Sequence, residues 1–367
     1  MDIFCTGESG VICNAMCHAI FDSKKYSNMN VLNTNYFNTM DFFRDEKEFE
    51  TAKSIFKLKK HQSFKVRKPE IDITDTDLLQ SNLMKKVWEQ TDVIIHSAAA
   101  VGTDFVANDP EQSIKTNVNG TFNIVEICNK YNIKLVYFST TAIFDPKDYS
   151  KDKLMTEDTK IDPQTLYGIT KNTGESIVKQ LCKTDKIIVR PVFGFSGYPD
   201  DLHSALTKLI YRILLPEDMS VKYNKLNILL DPIIKKSYTR VENIAEVVLQ
   251  IVNSTNCWNQ VFNIGTSARY DWNEMINMIT NVLSSRNFSG IFDTDNVYDL
   301  VDKRVEERIT FEPKKDYLHY HTIDNSKLNK FGIHTFDNDN NKNFLENGIE
   351  QTIYSVIKNI NTVPYWL

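Results

Sequence analysis

Tyr167 and Lys171 stand four residues apart in Leu166-Tyr167-Gly168-Ile169-Thr170-Lys171. On a helix that spacing puts both side chains on one face. A free tyrosine titrates at about pH 10. An ammonium beside the phenol stabilises the phenolate and lowers that value, so Tyr167 is expected to act as a general acid or base near neutral pH. An exposed Tyr–Lys helix face is the bland alternative. About 27 residues earlier, Ser139, Thr140 and Thr141 end an apolar run, Val136-Tyr137-Phe138. Their hydroxyls are candidates to hold a substrate oxygen, although strand-end hydroxyls also cap backbone groups.

A second group of residues suits a phosphate. Thr6-Gly7-Glu8-Ser9-Gly10-Val11-Ile12-Cys13 follows an N-terminal apolar run and opens a helical pattern. The order of strand, glycine turn and helix start presents backbone N–H groups and the helix dipole to an anion such as pyrophosphate. Gly7 permits the tight turn and Gly10 the close backbone approach. Cys13 occupies the third glycine position. The next strand ends at Leu32-Asn33. Asn33 can bond a ribose hydroxyl without repelling a 2′-phosphate, which leaves NAD and NADP both open.

These residues need elements to position them. Met1–Cys5, Met29–Leu32, Asp92–His96, Leu135–Ser139 and Lys186–Arg190 read as strands. Val11–Ile20, Asp77–Glu89, Asn108–Tyr131 and Pro163–Leu181 alternate with them and have helical length and period. This pattern predicts a doubly wound α/β fold, a parallel sheet with helices on both faces. A helix is expected over Glu46–Lys59. After Arg190, helices are expected at Asp201–Leu215, Val241–Asn253 and Asp271–Ser284, with a strand at Gln260–Ile264. The Asn338–Asn343 run reads as a polar turn. Residues 1–190, with a return near 236–266, are expected to form the NAD(P)-binding domain. Residues 191–235 and 267–367 are expected to form a smaller α/β substrate-binding lid.

Several further strings complete an ordered set: Asp72-Ile73, Ile95-His96-Ser97-Ala98-Ala99, Asn117-Val118-Asn119-Gly120-Thr121, Arg190-Pro191, Tyr238–Ala245, Val261-Phe262-Asn263-Ile264-Gly265 and Asp324-Asn325-Ser326-Lys327. Together with the glycine turn and the Tyr167–Lys171 pair, the chain resembles an extended short-chain dehydrogenase/reductase of the NAD-dependent epimerase/dehydratase family, whose members modify nucleotide sugars. The resemblance implies a Rossmann-type fold and a dinucleotide held by Gly7, Ser9, Gly10, Val11, Ile12, Asn33, Asp72, Ile73, Ser97, Ala98, Ala99, Asn117 and Arg190, besides Tyr167 and Lys171. It implies that Thr140 bonds the substrate oxygen, that Tyr167 exchanges the proton, and that Lys171 binds the nicotinamide ribose and tunes Tyr167. Aligning Ile143-Phe144-Asp145 with the family's VYG selects Thr140 over Thr141. A homodimer through the helices starting near Asn108 and Pro163 is a further implication.

The chain also departs from the family pattern. Dehydratases of the family carry Asp-Glu directly after the catalytic Thr, where Thr141-Ala142 stand here. A 4,6-dehydratase is therefore not expected, and hydride chemistry by an epimerase or keto-reductase remains. Phe193 replaces an Asn that would face the substrate, and Lys236 stands where an Arg contacts the diphosphate. Lys314 and Lys315 fall near a second such position. Lys neutralises phosphate without the bidentate fork of Arg. The alternatives are an NADPH-dependent reductase of a non-sugar carbonyl or thioester, and a non-catalytic dinucleotide-binding protein.

Composition sets the outer limits. The 367 residues carry 43 Lys+Arg, 48 Asp+Glu and a net charge of −5, which argues against nucleic acid as a partner because such binding rests on phosphate neutralisation. No apolar run approaches the ~18–20 residues of a membrane span. Six scattered cysteines lack zinc spacing and read as free thiols of a cytoplasmic protein, with no metal expected.

Overall fold

Along every main strand, side chains alternate between two buried apolar layers. Ile3 and Cys5 enter one layer and Phe4 the other; Val93 and Ile95 oppose Ile94; Val136 and Phe138 oppose Leu135 and Tyr137; Ile187 and Val189 oppose Ile188. Period-two burial on both faces is what a sheet covered by helices on both sides requires. The computed structural model describes residues 1–7, 10–22, 24–32, 71–145, 154–192, 194–195, 204–214, 228–230, 235–266, 268–285, 296–311, 322–335 and 341–359. Ser9, Asn33, Phe193, Lys314, Lys315 and the helix expected over Glu46–Lys59 lie outside the described residues.

Ten strands are described. They are β1 (Asp2–Thr6), β2 (Asn30–Val31), β3 (Val93–His96), β4 (Lys134–Phe138), β5 (Lys186–Pro191), β6 (Gly194–Phe195), β7 (Ile228–Leu230), β8 (Thr239–Arg240), β9 (Val261–Ile264) and β10 (Ile309–Phe311). Six of them form a parallel sheet in the order β2-β1-β3-β4-β5-β9. The fold is thus the Rossmann-type α/β architecture that the strand–helix alternation implies. The strand expected at Gln260–Ile264 closes the sheet as β9. Two short parallel ladders, β6 with β8 and β7 with β10, lie outside it.

Helix α1 (Val11–Asp22) follows β1. Next come α2 (Thr76–Gln80), α3 (Asn82–Trp88), α4 (Thr103–Asn108), α5 (Pro110–Ile114), α6 (Thr121–Tyr131) and α7 (Leu166–Leu181). Beyond β5 lie α8 (Ala205–Leu214), α9 (Val241–Asn253), α10 (Trp272–Leu283), α11 (Val297–Arg308), α12 (Ser326–Lys330) and α13 (Asn341–Asn359). One face of the sheet is covered by α1 and α9, the other by α2, α3, α6 and α7. A third apolar cluster joins α8, α10, α11 and α13 through Leu209, Trp272, Met275, Val301 and Ile349.

Three expectations are corrected. The single helix over Asp77–Glu89 is two, because Ser81 takes an extended conformation and its hydroxyl caps the Met84 amide. The helix expected over Asn108–Tyr131 contains a π-helical segment, Lys115–Gly120, between α5 and α6. The Asn338–Asn343 turn gives way at Asn341 to α13, whose inner face buries Leu345, Ile349 and Ile353 at helical spacing. Finally, α11 and β10 have no counterpart in the sequence reading, since α11 is dominated by charged residues and buries only Val301 and Arg308.

Candidate active site

The residues singled out for chemistry gather at the carboxyl ends of β1, β3 and β4. In open α/β sheets this edge binds ligands where the strand order reverses, and here it reverses between β1 and β3. Gly7 follows β1 with φ +73°, a conformation that L side chains rarely adopt. A Cβ on Gly7 would also sit 2.8 Å from the Ala98 nitrogen, so the turn and the loop after β3 are in backbone contact. The Gly10 amide donates to the Gly7 carbonyl at 2.8 Å, and α1 starts at Val11. By helix geometry, the first-turn N–H groups, including those of Val11 and Ile12, have no partner inside the helix. Cys13 is buried beneath the turn, 3.1 Å from the Ser97 hydroxyl, which itself donates to the Thr6 carbonyl. A compact thiol thus fills the third glycine position without pushing the turn open.

The loop after β3 runs Ser97-Ala98-Ala99-Ala100. Asn117, in the π-helical segment, clamps its end. The Asn117 amide nitrogen donates to the Ala100 carbonyl at 3.0 Å and to Thr170 Oγ1 at 3.0 Å, while its oxygen accepts from the Ala100 amide at 2.7 Å. Asn117 is 1% exposed. Both of its N–H donors hold the loop against α7. Asp72 accepts from the Thr74 amide and hydroxyl in a local turn, and Ile73 packs on Gly120.

Thr140 follows β4 in extended conformation, and its hydroxyl caps the Ala142 amide at 3.2 Å. It also acts on the Tyr167 phenol, favouring the phenolate. Helix α7 starts one residue before Tyr167, capped by Thr165, which accepts from the Gly168 amide. Gly168 lets the two elements meet: a Cβ there would lie 2.3 Å from the Ala142 carbonyl oxygen. That role is not legible in the sequence because the contact is tertiary.

The electrostatics differ from expectation. Burial pushes the Tyr167 phenol up to about 12, with only the Thr140 hydrogen bond opposing it. Lys171 does not bring it toward neutrality. Burial drives Lys171 itself down to about 7, against the pull of Glu175. Its ammonium lies over the Tyr137 ring, 4.5 Å from the centroid, and the Tyr137 hydroxyl donates to the Lys171 carbonyl at 3.2 Å.

One turn further on, Glu175 is wholly buried and takes a bidentate ion pair from Arg190, at 2.8 and 2.9 Å. Burial alone would raise the Glu175 pKa, but Arg190 and Lys179 hold it below its ordinary value. The remaining Arg190 nitrogen donates to the Glu157 carbonyl. Arg190 is thus a buried strut between β5 and α7, with three of the five N–H donors of its guanidinium engaged. Lys236 pairs its backbone with Tyr270 in an isolated bridge, away from the Thr140–Tyr167 contact in the chain. All six cysteines are buried thiols outside any disulfide, and no helix among the described residues is long and apolar enough to cross a membrane.

A parallel sheet reversing beside a glycine turn, with a Tyr and a Lys one helical turn apart at its edge, defines the extended short-chain dehydrogenase/reductase type that the ordered motifs imply. The profile of the RmlD substrate binding domain family matches residues 1–292, and the chain belongs to that family. An uncharacterized protein of Methanocaldococcus jannaschii is 26% identical over 328 residues, 85% of this chain and 91% of that protein. Among solved structures, a UDP-glucuronic acid 4-epimerase from Bacillus cereus, in complex with UDP-glucuronic acid and NAD, superposes with a TM-score of 0.65 at 19% identity, covering 98% of this chain and 99% of that one. The protein RMD of Pseudomonas aeruginosa, complexed with NADPH, gives 0.67 at 13% identity over 96% of this chain and 98% of its own. Both share the fold.

Proposed function

We propose that the protein is an NAD(P)-dependent epimerase or keto-reductase acting on a nucleotide-activated sugar. The observation that carries this reading is Tyr167 and Lys171 on one face of α7, with Thr140 at the end of β4 stabilising the Tyr167 phenolate. A bound nicotinamide supplies hydride exchange with a sugar carbon. The chain's own residues do the rest. The turn at Gly7 and Gly10, with Val11 and Ile12 at the start of α1, takes the pyrophosphate; Ser9 belongs to the same stretch of sequence, and Asn33, after β2, bonds the ribose hydroxyl. Asp72, Ile73 and Ser97–Ala99 flank the adenosine side. Thr140 orients the reacting oxygen, and Tyr167 passes it a proton in the reductive direction or takes one in the oxidative direction. Lys171 binds the ribose and supplies positive charge when protonated.

Thr141 and Ala142, beside Thr140, offer no carboxylate for eliminating water, which favours hydride chemistry over a 4,6-dehydratase. The apolar cluster joining α8, α10, α11 and α13 supports assigning residues 191–235 and 267–367 to substrate binding, with Lys236 at its margin. Six buried thiols support a cytosolic location. Ile114, Phe122, Ile169 and Leu181 are exposed on α5, α6 and α7, and they support a homodimer through those helices, which the mass in solution tests.

The reading as a whole is tested by denaturing the purified protein and identifying the small molecules released. Stoichiometric NAD(H) fits an epimerase that keeps its cofactor through a closed cycle. An empty protein that binds NADPH and is stabilised by nucleotide sugars fits a reductase. A protein that neither carries nor binds a dinucleotide contradicts both.

A further inference from the structure

His96 ends β3 and is 1% exposed, yet both ring nitrogens have partners on different elements. Nδ1 lies 2.7 Å from Thr6 Oγ1, and Nε2 lies 3.0 Å from Thr121 Oγ1. The proton positions follow by elimination. Thr121 gives its only hydroxyl proton to the Asn117 carbonyl at 2.7 Å, so it must accept from His96. Nε2 therefore carries hydrogen, and in a neutral ring Nδ1 accepts. Thr6 then donates to Nδ1, and its oxygen accepts from the Ala98 amide at 3.3 Å. Every donor in this chain meets an acceptor.

The chain does not stop at Thr121. Asn117, whose carbonyl anchors Thr121, holds Thr170 through its side chain at 3.0 Å, and the Thr170 hydroxyl donates to the Tyr167 carbonyl at 2.9 Å. Thr6 is the residue directly before Gly7. One buried imidazole thus stands midway between the glycine turn and the start of α7. Burial and the nearby Lys171 charge keep His96 well below the usual histidine range, at about 3, so the ring stays neutral under ordinary conditions.

We propose that His96 is a positioning residue that fixes the glycine turn and the helix segment bracing Tyr167 in one geometry, one ring nitrogen serving each. The role rests on the proposed function only for what those two sites do; the coupling itself is a property of the apoprotein. It predicts a split that a mere space-filling ring does not. An Asn side chain reaches the Nδ1 position, and a Gln side chain the Nε2 position. His96→Asn keeps the Thr6 arm alone, and His96→Gln keeps the Thr121 arm alone.

The test is amide hydrogen exchange of the apoprotein by mass spectrometry, paired with dinucleotide affinity and kcat. In His96→Asn, protection of residues 117–131 falls roughly fivefold or more, the worth of one lost hydrogen bond, while residues 3–13 stay at wild-type level. In His96→Gln the pattern reverses. Dinucleotide affinity weakens only in the Gln variant, and kcat falls in the Asn variant with the dinucleotide KM unchanged. Thr6→Val and Thr121→Val remove the same arms one at a time and give the same split if a His96 variant does not fold. Equal loss of protection at both segments in every variant, or no loss in any, overturns the proposal. A wild-type protein that binds no dinucleotide would sink the proposed function instead, and the exchange split would still decide the role of His96.

Discussion

At the carboxyl edge of β1 and β3, the side chains of Thr6, His96, Asn117, Thr121 and Thr170 spend their hydrogen bonds on one another and on nearby backbone. Around β8 and the start of α9 the pattern is the opposite. Ser237 Oγ, Tyr238 Oη, Thr239 Oγ1 and Asn243 Nδ2 are buried with no hydrogen-bond partner among the described residues. A buried polar atom left alone costs about 1–3 kcal/mol, and such atoms are ordinarily met by water or a ligand. The side chains of the first region are paired with one another and with backbone; those of the second hold hydrogen-bonding capacity in reserve.

The packed edge is most sensitive at Gly168. Gly168→Ala sets a methyl against the Ala142 carbonyl, at 2.3 Å before relaxation, and forces α7 away from Thr140. Turnover is expected to fall on the order of 100-fold, the worth of a mispositioned acid/base, with dinucleotide affinity nearly unchanged; steady-state kinetics and equilibrium binding separate the two. Glu175→Gln comes next. It leaves Arg190 buried without its counter-charge and should cost about 3–5 kcal/mol, read as a lower midpoint in denaturant.

Lys171 gives a pH signature. Its folded pKa of about 7 lies below its ordinary 10.5, so the charge is complete only below about 7 and is lost as pH rises through that value. Rates that need this charge should be flat on the acid side and decline above pH 7, and Lys171→Arg should move the decline upward. The stability term runs the other way. Between about 7 and 10.5 the unfolded chain binds the extra proton, so stability rises with pH across that window. Lys171→Met is therefore expected to melt a few degrees higher at pH 7 while losing activity. The smallest effect is expected at Tyr238. Tyr238→Phe removes a buried hydroxyl with no partner among the described residues and should leave the thermal midpoint within about one degree. A larger fall would mean that the reserve is already spent.

The sequence made the sheet legible because both faces of each strand are apolar, and the glycine turn and Tyr167–Lys171 pair legible because their geometry is local. What it hid is tertiary. The ion pair that buries Arg190 against Glu175 joins residues on different elements. The bonds from Asn117 to the Ala100 loop and to Thr170 likewise span the sequence. The expected lowering of the Tyr167 pKa failed because burial, invisible in spacing, outweighs the neighbouring ammonium, which lies over Tyr137 instead. Helix α11 escaped notice because a helix that buries one valine and one arginine leaves no apolar stripe to read.

The most direct test of the central claim is deuterium transfer with Tyr167→Phe. The wild-type protein, given a nucleotide sugar and C4-deuterated dinucleotide, should exchange deuterium stereospecifically with one sugar carbon. The variant should still bind the dinucleotide and transfer roughly 100- to 10,000-fold more slowly, the range for loss of a general acid or base. Transfer at the wild-type rate in the variant would contradict the account.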